Sequence, residues 1–165
     1  MSRDSKITLF WFLFALGMAV SLTNLFAPVH ELGHVMYGLY IDGEGSFKDW
    51  NHSNVPMNLS HAIAGWHFEV GAFVLAGGFF GIVAGNNTQW LGAFFIGHAV
   101  TAMGRAYFSS DMNWYVQEVC TRLGLDRFAT QDIILKIQGK WTVLALFWFA
   151  VSLAIIIRWH RKGLR

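Results

Sequence analysis

The sequence predicts an all-α protein embedded in a membrane, and three observations predict that class. Apolar residues make up 55% of the chain and charged ones only 13%, about half the charged share of an ordinary soluble domain. The uncharged residues are gathered into runs long enough to cross a hydrocarbon core of about 30 Å as helices. Fifteen Phe, eight Trp and 17 Gly match the use of aromatic rings at membrane interfaces and of small residues where helices meet in lipid. The chain, 1–165, has the length of a single membrane-embedded domain. A formal charge of +2 leaves no basic footprint for nucleic acid, so the lipid bilayer is the first partner expected. Cys120 stands alone and forms no internal disulfide.

The elements follow in order. The uncharged run Ile7–Ala27 exceeds the apolar stretch of a secretory leader and reads as a first span that is retained. Pro28 then favours a fresh helix start, since its fixed φ and missing N–H are harmless in a first turn. Residues 28–41 are too short for a comfortable crossing, so they read as a half-helix dipping into the membrane, a tilted full crossing being the alternative. Residues 42–60, rich in Gly, Ser and Asn, form a polar loop. Ala62–Gly85 and Gln89–Phe108 are the second and third spans, joined by a tight turn at 86–88, and Trp141–Ile157 is the fourth. Between the last two, Met112, Tyr115, Val116, Val119, Cys120 and Leu123 fall on one helical stripe that stops at Gly124. That stripe reads as an amphipathic helix on the bilayer surface, with packing against protein as the alternative.

Orientation follows from the basic residues. Arg3 and Lys6 precede the first span, and Arg158, Arg161, Lys162 and Arg165 follow the last. Both termini are therefore expected in the cytoplasm of a multi-pass protein, in a cell membrane and the inner one where there are two. About four crossings plus a half-helix meet that requirement; five do not.

The chemistry is concentrated in "VHELGHVMYGLYID" at 29–42, where His30, Glu31 and His34 interrupt an apolar run. Ionisable groups at membrane depth are costly and are functional by default. On a helix His30 and His34 lie one turn apart on one face, so both imidazoles can reach one zinc ion. Glu31 points about 100° away, beside the metal, where it can serve as general base. A catalytic zinc takes three protein ligands as a rule, and Asp111, Glu69, His67 and His98 are the candidates for the third. Topology brings Asp111, Glu69 and His67 toward the membrane face of His30 and leaves His98 deeper. On position alone Asp111 and Glu69 rank close together. A helix-end charge is the plainer role for Asp111, and an ion pair with Arg105 the plainer one for Glu69. Asn113, His67 or Arg105 can supply a donor to an oxyanion. Gly77, Gly81 and Gly85, four apart, read as a helix-packing stripe. His52 and His61 read as solvated, and His160 as lying at the cytoplasmic surface.

"HELGH" at 30–34, followed by two apolar spans and an Asp near the end of the second, resembles the site-2 protease family of intramembrane zinc metalloproteases, of which this chain would be a minimal member. The resemblance implies zinc held by His30, His34 and Asp111, Glu31 as the base, and a membrane-anchored polypeptide as substrate. Two other readings compete with it. One keeps the zinc and hydrolyses a lipid ester or amide; the other is a non-catalytic metal-binding membrane protein in which Glu31 is dispensable. Nothing in the sequence sets the oligomeric state.

Overall fold

The computed structural model describes residues 3–56, 58–83 and 88–163. Among the described residues six α-helices carry the fold: α1 (Arg3–Ser21), α2 (Ala27–Ile41), α3 (His61–Gly78), α4 (Gln89–Phe108), α5 (Ser110–Arg122) and α6 (Arg127–Gly163). Helix α3 runs on into a wider π-helical turn at Phe79–Val83. Three helical stretches among the described residues are long and apolar enough to cross a membrane: Asp4–Ser21, His61–Ile82 and Arg127–Arg161. Helix α4, at 20 residues or about 30 Å, has the length of a span but is diluted by Gly, Ala, Gln, His and Arg.

Several boundaries differ from those read from the sequence. Helix α1 stops at Ser21, and Ala27 opens α2 with Pro28 in its first turn; the apolar run is continuous, but the turns at residues 22–26 break it. Helix α6 starts at Arg127, well before the charge-free run that marked the fourth span, because helical spacing continues through its polar first half. The polar loop at 42–60 contains an antiparallel hairpin, β1 (Ser46–Asp49) and β2 (His52–Asn54), with a bulge at Lys48. It packs on α2. The joining turn at 86–88 falls largely on residues outside the described ones.

The stripe on α5 is covered by protein: Met112, Tyr115, Val116 and Cys120 are all under 9% exposed. The bilayer-surface reading of that stripe is thereby corrected, although Trp114 and Leu123 remain outward. Ser109 caps the helix, accepting from the Met112 N–H. Gly124, at φ +68°, closes it with the Leu125 N–H donating to the Cys120 carbonyl, a left-handed stop that suits glycine.

The chain divides into two compact units. One comprises Met1–Leu25, Val70–Met103 and Leu146–Arg165. Within it α1 and α4 meet backbone to backbone: a Cβ on Gly17 would lie 2.0 Å from the Phe94 carbonyl oxygen, and one on Gly97 2.1 Å from that of Phe14. Phe10, Ala93 and Trp159 form its buried cluster, and the Trp159 indole donates to Gln89 Oε1 at 2.9 Å. Gly77 makes room for a side chain, since an added Cβ would meet that of Ile96 at 2.6 Å. His98 lies buried here, stacked on Phe73 at 3.8 Å. The other unit comprises Phe26–Glu69 and Gly104–Ala145 and holds the residues of the HELGH segment.

Candidate metal centre

Helix α2 places His30 and His34 one turn apart, as the spacing requires, and buries both to under 5% exposure. Their Nε2 atoms face each other at 3.2 Å. Two nitrogens that share a tetrahedral zinc, each about 2.0–2.1 Å from it, stand about 3.3–3.4 Å apart. The imidazole pair therefore has the separation a shared zinc needs.

The second contribution comes from α3. Glu69, 2% exposed, sets Oε2 3.2 Å from His30 Nδ1. With the carboxylate ionised it can only accept, which puts the proton on Nδ1 and leaves the Nε2 lone pair toward His34. This is the carboxylate–histidine arrangement that orients metal-binding imidazoles. Of the two roles open to Glu69 from the sequence, partner and ligand, its Oε2 has the first. The Arg105 guanidinium, expected opposite Glu69, lies 5.0 Å above the Trp66 ring, and Trp66 in turn packs edge-on against His30 at 4.4 Å.

Glycines let the two helices approach closely enough for this. A Cβ on Gly33, inside the HELGH motif, would lie 2.6 Å from Phe68 Cβ and 2.9 Å from Gly65 Cα. One on Gly65 would fall 2.6 Å from Nε2 of both His30 and His34. Gly65 thus keeps open the space beside both nitrogens.

His61, read from the sequence as solvated, is 0% exposed. Tyr37 at 4.9 Å and Tyr115 at 6.1 Å between ring centroids pack on its ring. Its Nε2 lies 3.4 Å from Asp42 Oδ2, which also accepts from Asn58 at 3.2 Å. Asp42 ends α2 and His61 begins α3, so the pair ties the two site helices at one end as Glu69 and His30 tie them further along. Tyr115 also lies 5.1 Å from the His34 ring. The buried Nδ1 atoms of His34 and His61 have no hydrogen-bond partner among the described residues.

His61, Gly65 and Glu69 recur every fourth residue, one face of α3. A polar stripe at helical spacing within an apolar span is the signal that would have picked out His61 and Gly65. Glu31 is buried at 8% exposure, and Asn113 is half-buried on α5. His67 is exposed. Asp111 belongs to the first turn of α5, and its side chain lies outside the described residues. Among the described residues no three His, Cys, Asp or Glu side chains gather as a complete metal shell.

Comparison with family models, with curated proteins and with solved structures finds no match to this chain. Its composition and fold define a helical protein of membrane type. The reading of its site rests on the HELGH segment and the α3 face.

Proposed function

We infer that the chain is a membrane-embedded zinc hydrolase that cleaves peptide bonds of membrane-anchored polypeptides, in the manner of the site-2 proteases its motif resembles. The observation that carries this is the buried pair of Nε2 atoms 3.2 Å apart on a helix that also bears Glu31. His30 and His34 are the nitrogen ligands, with Asp111 proposed as the third. A zinc ion bound there supplies Lewis acidity, lowering the pKa of water and polarising the scissile carbonyl. Glu31 takes the proton from the attacking water and passes it to the leaving amine. Glu69 holds the His30 ring in the required tautomer, and Asp42 with His61 holds α2 against α3. In this reading α4 is a fourth crossing, which places both termini in the cytoplasm.

The test is metal analysis of the purified protein beside His34→Ala and Asp111→Ala, with turnover of Glu31→Gln. About one equivalent of zinc is expected, lost in both of the first two variants. Glu31→Gln should keep the metal and lose at least about a hundredfold in rate. A metal-free wild type, or full activity in Glu31→Gln, would overturn the reading.

A further inference from the structure

Helix α6 has 37 residues, about 55 Å of helix, against a hydrocarbon core that needs about 20 residues. Its charge-free stretch starts at Trp141, so in a bilayer crossed by that stretch Lys136 and Lys140 fall at the level of the headgroups. There the unit that contains α2 has a groove of about 260 Å³. Leu59, Ile63, Ile133 and Ile137 wall it, and Ser60 and the two lysines complete its lining. Lys136 and Lys140 are four apart on one helix face, close enough to converge on one phosphodiester. Lys136 is also engaged with Asp132 one turn back.

We propose that this groove binds a single anionic phospholipid, acyl chain against the isoleucines and phosphate against Lys140 and Lys136. Charge and position choose the occupant. An apolar trough opening at the membrane boundary beside two ammonium groups fits an anionic amphiphile, whereas a zwitterionic headgroup would bring a like charge to the lysines. A juxtamembrane lysine contributes about a fivefold attraction to an anionic surface.

The full chain, delipidated in detergent, is titrated with dioleoylphosphatidylglycerol, dioleoylphosphatidylcholine or soluble glycerophosphate, and retained lipid is counted by native mass spectrometry. One phosphatidylglycerol should be retained in preference to phosphatidylcholine. Lys136→Gln/Lys140→Gln should weaken that retention by between about fivefold and thirtyfold, the lower value applying where Asp132 keeps Lys136 engaged. Arg158→Gln/Arg161→Gln, at the far end of the same charge-free stretch, should not change it. Equal retention of both lipids, retention that follows the arginines instead, or equal competition by glycerophosphate would each overturn the proposal. Both pairs of side chains are on the surface, so the variants fold.

Discussion

The two units handle polarity differently. In the unit built on α1, the buried polar side chains Ser21, Gln89, His98 and Ser152 are scattered among small residues and aromatic rings: Gly17 and Gly97 let two backbones touch, and the Trp159–Gln89 bond satisfies an indole among Phe10 and Ala93. In the unit built on α2, the interior holds His30, Glu31, His34, His61 and Glu69, all under 9% exposed. Burying such groups costs several kcal/mol each without partners, so His30 is given Glu69 and His61 is given Asp42. Glycine serves both units but for different ends. At Gly17 and Gly97 it makes room for backbone; at Gly65 it makes room beside two nitrogens.

That contrast can be broken most severely at Gly97. Gly97→Leu forces a Cβ onto the Phe14 carbonyl, a backbone that cannot swing aside as a side chain can. The loss of stability should exceed the roughly 1–3 kcal/mol of ordinary core overpacking, read as a collapse of the thermal transition in detergent. A variant that melts like the wild type would show that the close contact is unnecessary.

Gly65→Ala tests the other use of glycine. Its methyl would sit 2.6 Å from both Nε2 atoms, so zinc uptake should fall by at least about a hundredfold, more than the loss of an outer-shell partner causes. Helical content by circular dichroism should persist. Metal binding that survives would place the metal on another side of the imidazole pair.

Smaller still is Glu69→Gln. Glutamine keeps the shape and can accept from His30 Nδ1, but the negative charge that raises the ligand's basicity is gone. Zinc affinity should fall about 10–100-fold, while Glu69→Ala should fall further because the imidazole also loses its anchor. A Glu69→Gln variant free of zinc would make Glu69 a ligand in place of Asp111.

The mildest expectation concerns the exposed hairpin. The Asn51 backbone N–H, and after it the His52 ring, hold the Asp49 carboxyl below the usual carboxylate range. Because the folded pKa is the lower one, the stabilisation is present at neutral pH and is lost as pH falls through the folded value. The Asn51 amide chemical shift should titrate with a midpoint below that of a free aspartate, and Asp49→Asn should flatten it. Zinc binding in Asp49→Asn should be unchanged, since the hairpin lies outside the imidazole pair.

Much of this protein was written in local sequence. His30 and His34 had to share a face because four residues make about one helical turn; Pro28 had to open a helix and Gly124 to close one, because their backbones allow little else or uniquely much. Apolar run length marked three of the spans, because in lipid a chain satisfies its backbone internally as helix. Local periodicity is silent about which distant element arrives opposite. Position left Glu69 a choice between ligand and partner; only the packing of α3 on α2 brought its carboxylate to His30 Nδ1. The polar residues before His61 implied solvent, yet Tyr37 and Tyr115, from two other helices, enclose it. The α5 stripe announced an apolar face, but burial in protein rather than lipid was decided by what covers it. Only in three dimensions do two imidazoles occupy the place of the side chain that Gly65 lacks, a coincidence that no spacing along one helix encodes.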